Sequence, residues 1–370
     1  MNRKHYIDNI RSITTVLVLI YHIIYNFNTV GIVNNLGDYG LGIPAMEVIS
    51  YALYPWFMVL LFLLAGIAAR YSLAKRGAKA FLKERFVRLI VPFVGGMFIL
   101  GWINGWVTNH AAVGGNMFGP EGALLPGIVK YIVYSLVGMG ALWFLLELFI
   151  ASLLLLLIKR FDANDSLYKA CGKLFQGRMG LSLAALLVLP VWGFTYLFNV
   201  PVLSFFRGIY LFVFLLGYYV FSQDDLLDQL KQPWTIGLAL VAAVASGVLF
   251  VRTYYGMDYT QASVLQHPLT NAFTWFTCLA FLSCGQLWLD GAGKLSQFFK
   301  KYSFGIYVFH YPFLTGIAYL LITYVPSLTN PLLYLVLLIV VLPLCIIATT
   351  ILSKIPILKT LLLGITKNKA

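Results

Sequence analysis

The 370 residues of the chain are 61% hydrophobic and 11% charged, and their formal net charge is +13. A soluble domain carries roughly 25% charged residues, so this composition excludes an ordinary soluble globular protein and indicates a protein of the lipid bilayer. A large positive charge can also indicate a nucleic-acid partner, but here the positions of the basic residues decide the question.

Apolar windows long enough to cross a bilayer recur along the whole chain. We therefore predict an all-α, polytopic integral membrane protein of about ten transmembrane helices, with residues 1–370 forming a single domain. The predicted spans are 10–30, 47–69, 88–107, 140–158, 180–198, 204–221, 234–252, 269–289, 303–325 and 332–353.

The basic residues give the orientation of these spans. If the N-terminus lies in the cytoplasm, the cytoplasmic segments hold 23 of the 26 Lys and Arg residues, and only Lys130, Arg207 and Arg252 lie on the other side. This asymmetry follows the positive-inside rule and predicts a cell-membrane protein with both termini in the cytoplasm. It also explains the net charge, with contact to membrane lipids as a second use, so we expect no nucleic-acid partner.

Two longer segments are predicted to face outward. Residues 108–139 are rich in Gly and Pro, which indicates a loop, and the apolar run "IVKYIVYSLVG" within them is too short to cross the bilayer. Residues 253–268 mix tyrosines with polar side chains. These tyrosines could stack on a sugar, although the aromatic belt of a membrane interface explains them as well.

The first span carries polar residues on one face. In "RSITTVLVLIYH", Arg11 and His22 lie roughly 20° apart around an α-helix and about 16 Å apart along its axis. Thr15 and Asn26 fall on the same stripe. With Arg11 at the cytoplasmic interface, His22 lies near the midplane, where its neutral ring can accept a proton. The alternative is a structural histidine, with Arg11 as a topology anchor.

Arginines also open the third span, in "KERFVRLIVPF". Arg85 and Arg88 are three residues apart, a spacing that places both on one face of an α-helix. Two guanidinium groups on one face suit a phosphate or pyrophosphate. A basic membrane boundary explains the same pair without a ligand.

Two later spans carry ionisable side chains. In "SFGIYVFHYPF", His310 lies at a depth comparable to that of His22, so the two histidines could line one cavity. In "GALWFLLELF", Glu147 is a carboxyl group inside the membrane, so we expect it to be paired with a basic residue or protonated. The four cysteines have no metal-ligand spacing, and we predict neither a disulfide framework nor a metal site.

Four of these motifs together resemble acyltransferase family 3. "YIDNIRSITTVLVLIYH" is similar to the family's first helix, which carries an acidic residue followed by R-x10-H. "RFVRLIVPF", "LWFLLELF" and "SFGIYVFHYPF" resemble three further family motifs in the family's order. The chain departs from the pattern at Ala65, where the family usually has serine, and at Ala141, where histidine is often found.

The resemblance implies transfer of an acyl group, with acetyl as the default, from cytoplasmic acyl-CoA to a hydroxyl of an extracytoplasmic or cell-surface glycan. It implies that the donor's phosphates meet Arg11, Arg85 and Arg88. Asp8 would orient Arg11 or cap the first helix. His22 would be the general base, or a transient acyl carrier.

The same resemblance gives supporting roles to further residues. His310 or Tyr307 would stabilise the oxyanion or fix the tautomer of His22, and Glu147 is a further catalytic candidate. Three alternatives stay open at this point. One is a succinyl rather than an acetyl transferase. The second is a transporter or flippase of a glycan or lipid-linked substrate that uses histidines as a proton relay, and the third is a non-catalytic sensor.

Overall fold

The computed structural model of the protein describes residues 4–27, 36, 44–112, 115–197, 208–328 and 330–366. These residues form helices and turns, and none of them belongs to a β-strand. In chain order the α-helices are α1 (His5–Tyr25), α2 (Pro44–Leu53), α3 (Phe57–Lys75), α4 (Ala78–Arg85), α5 (Val91–Gly96), α6 (Trp102–Ala111), α7 (Gly127–Val137), α8 (Trp143–Phe161), α9 (Ser166–Leu174), α10 (Gly177–Leu186), α11 (Val188–Phe194), α12 (Gly208–Tyr219), α13 (Asp224–Leu230), α14 (Pro233–Tyr254), α15 (Ala262–Leu265), α16 (Pro268–Trp288), α17 (Lys294–Tyr324), α18 (Asn330–Leu352) and α19 (Pro356–Leu363).

Eight helical stretches of the described chain are long and apolar enough to cross a membrane, which confirms the prediction of an all-α polytopic membrane protein. They are His5–Tyr25, Met46–Lys75, Ala78–Ala111, Gly140–Phe161, Gly177–Phe194, Pro233–Tyr254, Lys294–Tyr324 and Pro331–Leu352.

The sixth and eighth predicted spans correspond to α12 and α16, which fall outside this set. α12 has only 12 described residues, and residues 204–207 of the predicted span, which include Arg207, lie outside the described part of the chain. The same holds for residues 28–30 of the first predicted span and residue 198 of the fifth. α16 contains several polar residues, among them Thr270, Asn271 and Thr274. The number of ten spans and the cytoplasmic termini stay predictions.

The predicted outward loop at 108–139 is more helical than its Gly and Pro content indicates. α6 extends to Ala111, a 3₁₀ turn occupies Pro120–Leu124, and α7 (Gly127–Val137) contains all of the short apolar run except its last residue. The reason is local packing, because glycines allow α6 and α7 to lie against each other. A Cβ atom added at Gly105 or Gly138 would overlap backbone atoms of the opposite segment.

The tyrosines of the second outward segment, 253–268, pack mainly on aromatic rings outside that segment. The ring of Tyr259 is fully buried, with centroid distances of 4.8 Å to Tyr51 and 4.9 Å to Tyr54. Tyr255 is the most exposed of the segment's tyrosines. Most of this aromatic surface therefore stabilises the fold, and a role in binding a sugar stays a prediction.

The chain divides into two compact units, each built from three segments. The first unit comprises Met1–Thr14, Tyr51–Arg85 and Glu147–Lys300, and the second comprises Thr15–Ser50, Phe86–Leu146 and Lys301–Ala370. Helices α1, α2, α8 and α17 contribute residues to both units. The single-domain interpretation of residues 1–370 stays a prediction.

Close helix packing holds the first unit together. α3 lies against α12 at Gly66 and Gly217, where a Cβ atom on either residue would overlap backbone atoms of the other helix. α14 packs along α16. The fully buried Trp275 of α16 donates a hydrogen bond of 2.9 Å to the carbonyl oxygen of Ala184 in α10.

An ion-pair cluster at the end of α8 also belongs to the first unit. The Asp165 carboxylate accepts hydrogen bonds from Lys159 and, at 3.2 Å, from Arg70 of α3. Partial burial alone would raise the pKa of Asp165, but the hydrogen bonds and charges of Lys159 and Arg70 lower it below 3.8. The cluster therefore joins α3 to the turn that follows α8.

α17 is the buried helix of the second unit. Ile306, Phe309, His310 and Leu314 have no exposed surface. At Gly305 an added Cβ atom would overlap the Thr349 side chain of α18, so the two helices approach closely there. This packing fixes the rotation of α17 about its axis and thereby the direction in which His310 points.

Candidate active site

His22 of α1 and His310 of α17 contact each other within the second unit. Nε2 of His310 lies 3.2 Å from Nδ1 of His22, and the ring centroids are 5.1 Å apart. His310 is fully buried, whereas His22 keeps a partly exposed surface. The fold thus brings His22 and His310, which were predicted to lie at similar depths in two separate spans, into direct contact.

Contacts with backbone carbonyl oxygens show which nitrogen of each histidine ring carries the hydrogen. Nδ1 of His310 lies 2.7 Å from the carbonyl oxygen of Tyr307 and 3.1 Å from that of Ile306, so it must donate. Nε2 of neutral His310 is then an acceptor. Nδ1 of His22 faces this acceptor and lies 2.9 Å from the carbonyl oxygen of Val18, so it also carries a hydrogen. Nε2 of neutral His22 is therefore the unprotonated nitrogen.

Aromatic rings surround His22. Its ring lies 4.9 Å from that of Tyr311, 5.1 Å from that of Tyr21 and 6.4 Å from that of Tyr25, all in edge-on geometry. No described residue hydrogen-bonds Nε2 of His22, and no charged side chain is among its described contacts. The arrangement offers a proton acceptor in an uncharged, largely aromatic setting.

The hydroxyl of Tyr307 points away from this pair of histidines. It donates a hydrogen bond to the carbonyl oxygen of Ala141. This hydrogen bond connects α17 to the 3₁₀ turn Gly140–Leu142, so the hydroxyl hydrogen of Tyr307 is not directed at His22. Of the two residues expected to support His22, His310 is the one that hydrogen-bonds it.

A small cavity lies beside Tyr307 and Tyr311, with Asn104 also in its lining. Its volume is about 10 Å³, room for about one water molecule. Nδ2 of Asn104 donates to the carbonyl oxygen of Gly138 at 2.9 Å, and no described residue hydrogen-bonds its Oδ1. The sequence interpretation did not select Asn104, and the cavity is too small for a substrate.

A charged cluster at the start of α1 lies in the first unit. Asp8 accepts a hydrogen bond of 2.7 Å from Nη2 of Arg11, and its second oxygen lies 3.4 Å from Nζ of Lys300. Asp8 thus contacts Arg11 directly, and its role in orienting Arg11 stays a prediction. The sequence interpretation did not select Lys300, because in the sequence it is one basic residue among several at a predicted membrane boundary.

Backbone contacts hold this cluster in place. The backbone N–H of Tyr6 donates to Asp290 at 2.9 Å. The side-chain amide of Asn9 donates to the carbonyl oxygens of Leu289 and Gly291, and its oxygen accepts from the hydroxyl of Ser296. The first two turns of α1 are therefore fixed to the segment that leads into Lys300.

The two arginines of the third span sit in different local structures. Arg85 ends α4, with its guanidinium 4.9 Å from the centroid of the Phe81 ring. Arg88 is exposed in the π-helical turn Phe86–Ile90. A π turn holds more residues than an α turn, so the spacing rule behind a shared face does not apply there. Their common role in phosphate binding stays a prediction.

Glu147 lies in α8 and belongs to the first unit, where its side chain is fully buried. Its catalytic role stays a prediction. Among the described residues, no group of three or more His, Cys, Asp or Glu side chains could hold a metal ion. All four cysteines are free thiols.

Comparison with curated proteins and with solved structures gives no match. The sequence profile of acyltransferase family 3, described as an acyltransferase domain, matches residues 4–350. The matched region runs from the start of α1 into α18 and includes both histidines and the Asp8–Arg11 pair. The chain therefore belongs to acyltransferase family 3 and is a multi-pass membrane acyltransferase.

Proposed function

We propose that the protein moves an acyl group, acetyl by preference, from cytoplasmic acyl-CoA to a hydroxyl of an extracytoplasmic or cell-surface glycan, with His22 as general base. The observation that carries the proposal is the His22–His310 hydrogen bond. This bond places the ring hydrogen of His22 on Nδ1, so that Nε2 is free of hydrogen and can accept a proton. A positioned histidine of this kind is the usual general base in proteins.

The transfer step follows from that geometry. The acceptor hydroxyl gives its proton to Nε2 of His22 while its oxygen bonds to the thioester carbonyl carbon, whose π electrons move to the carbonyl oxygen. The intermediate collapses, the C=O bond re-forms, and the C–S bond breaks. The thiolate of CoA then takes the proton from Nε2, so the products are an ester and a free thiol and His22 is neutral again.

The charged cluster at Asp8 supports a donor site. Arg11 and Lys300 are two basic side chains that both contact the Asp8 carboxylate, and guanidinium and ammonium groups are the usual partners of phosphate oxygens. Arg11 and His22 lie on one helix, about 16 Å apart along its axis. The phosphates of CoA would bind Arg11 and Lys300, with Arg85 and Arg88 as further candidates.

The surroundings of His22 favour an uncharged acyl group. The described rings in contact with it belong to tyrosines and a histidine, and its one described electrostatic partner is His310 rather than a Lys or Arg that would compensate a free carboxylate. A buried charge without a partner is strongly unfavourable. Acetyl is therefore preferred over succinyl.

The direct test measures transfer of label from acetyl-CoA to glycan in membranes that contain the protein. His22→Ala should lower the rate about 10²- to 10⁴-fold, because it removes the base. His5→Ala is a matched control on the same helix and should leave the rate unchanged. Near-normal transfer by a folded His22→Ala protein would overturn the proposed base.

Two other outcomes would overturn the acyltransferase scheme itself. Movement of a glycan or lipid-linked substrate across proteoliposomes without any acyl-CoA would indicate a transporter. Tight binding of a cell-envelope glycan, with neither acyl-CoA binding nor transfer, would indicate a sensor.

A further inference from the structure

The chain turns directly after α1, and the turn holds a buried amide side chain. Asn26 has no exposed surface. Its backbone N–H donates to the carbonyl oxygen of His22 at 3.1 Å, so it continues the last turn of the helix. Neither Nδ2 nor Oδ1 of Asn26 has a hydrogen-bond partner among the described residues. Native proteins rarely leave buried polar groups without a hydrogen-bond partner, and each such case calls for an explanation.

Asn26 lies one helical turn beyond His22 on the same face. Residues four apart on a helix have Cβ atoms about 5–6 Å from each other. Side chains on a helix also lean toward its N-terminus, which for Asn26 is the direction of His22. The amide is therefore within reach of a molecule that is held against the ring of His22.

The proposed reaction needs an N–H donor that the histidine pair does not supply. Charge develops on the thioester carbonyl oxygen as the acceptor attacks, and a preorganised donor at that position lowers the barrier. Nδ1–H of His310 is bound to backbone carbonyls, and Nδ1–H of His22 is bound to Val18 and His310. The Tyr307 hydroxyl is bound to Ala141. Nδ2 of Asn26 carries two hydrogens for which the described residues provide no acceptor.

We infer that the side-chain amide of Asn26 binds the acyl carbonyl oxygen of the donor and stabilises its negative charge during transfer. The inference rests on the proposed acyltransferase function and adds the residue that acts on the oxyanion. It also explains why a buried amide keeps its hydrogens unused, since an empty site of this kind is suited to the transition state rather than to the resting protein.

The test combines kinetics with thermal stability for Asn26→Leu in purified protein in nanodiscs, with acetyl-CoA as donor. We expect kcat to fall about 10²- to 10³-fold, as for loss of one oxyanion donor. KM for acetyl-CoA should change by about twofold or less, because the substitution leaves the proposed phosphate contacts of CoA unchanged. The unfolding temperature should stay equal or rise, because leucine needs no hydrogen-bond partner.

A buried asparagine that is already paired provides the matched control. Nδ2 of Asn271 donates to the carbonyl oxygens of Leu265 and His267, at 3.0 Å each. Asn271→Leu should therefore lower the unfolding temperature and leave most of kcat intact. Should Asn26→Leu fail to fold, Asn26→Val is a smaller apolar replacement that also has no N–H donor. Its kcat should fall at least as far.

The results separate the inference from the function on which it rests. An Asn26→Leu protein with wild-type kcat, or with a fall in unfolding temperature like that of Asn271→Leu, would overturn the role of Asn26 while wild-type transfer upholds the acyltransferase. Absence of transfer from any acyl-CoA by the wild-type protein would overturn both.

Discussion

His310 offers the sharpest quantitative test of the active-site geometry. Its Nε2 accepts a hydrogen bond from Nδ1–H of His22 at 3.2 Å. The bond is neutral at rest and charge-assisted once His22 holds the substrate's proton. A neutral hydrogen bond contributes about 1 kcal/mol and one to a charged group about 1.5–3 kcal/mol. Only the difference, about 0.5–2 kcal/mol, lowers the barrier.

His310→Leu should therefore lower kcat roughly 2- to 30-fold. This loss is well below that of His22→Ala, because the carbonyl oxygen of Val18 still holds Nδ1–H of His22 at 2.9 Å. His310→Gln should retain more activity than His310→Leu, since its side-chain oxygen can accept the same hydrogen bond. KM for acyl-CoA should stay the same in both variants.

The assay measures kcat and KM for acyl transfer from one acyl-CoA donor with purified protein, and the unfolding temperature of each variant in detergent. A change confined to stability would leave kcat of the folded fraction unchanged and would refute the supporting role. If His310→Leu lost as much activity as His22→Ala, His310 would be a proton-transfer group itself and the assignment of the base would be wrong. Equal kcat for the Gln and Leu variants would refute the importance of the accepted hydrogen bond.

Three further predictions follow from contacts elsewhere in the protein. Lys300→Ala should raise KM for acyl-CoA about two- to fivefold with kcat unchanged, as expected for one partly exposed charge, while Lys301→Ala leaves both parameters unchanged in the same kinetic assay. Gly105→Ala should lower the free energy of unfolding by about 1–3 kcal/mol because its Cβ atom would overlap the backbone of α7, whereas Gly237→Ala, with open space around the added atom, should be neutral or stabilising in a parallel denaturation series. Asp165→Asn should lower the unfolding temperature at neutral pH. The pKa of Asp165 is lowered in the folded protein, so its ionised carboxylate stabilises the fold above the ordinary pKa of 3.8. This stabilisation is lost as the pH falls through the pKa of the folded protein. Thermal unfolding measured at a series of pH values should therefore show the difference between wild type and variant disappearing at low pH.

The helical architecture was predictable because the length and polarity of a transmembrane helix are local properties of the sequence. The structure has a helix for each predicted span, including α1, which carries Arg11 and His22 on its length. The exceptions are also local in origin. The Gly-rich segment that contains Gly105 and Gly138 was predicted in part as a loop, yet those glycines allow two helix backbones to touch.

The contacts of the site were less accessible from the sequence. His22 and His310 could be assigned similar depths, but their contact depends on the rotation of α17, which is set by packing around Gly305 and Thr349. The pairing of Lys300 with Asp8 joins residues from opposite ends of the first unit's sequence. Neither contact leaves a periodic signal in a single chain, because each is formed by tertiary packing between distant segments.

A pair of histidines suits a base that must work inside a membrane. A carboxylate behind the base would add a buried charge that needs its own compensation before any substrate binds. A second neutral histidine accepts the hydrogen bond from Nδ1–H of His22 without adding charge. When His22 gains a proton, the same bond strengthens and stabilises the imidazolium. The described surroundings of His22, which are uncharged throughout its contacts, are those that this mechanism requires, so the only charge separation in the proposed transfer arises as the reaction proceeds.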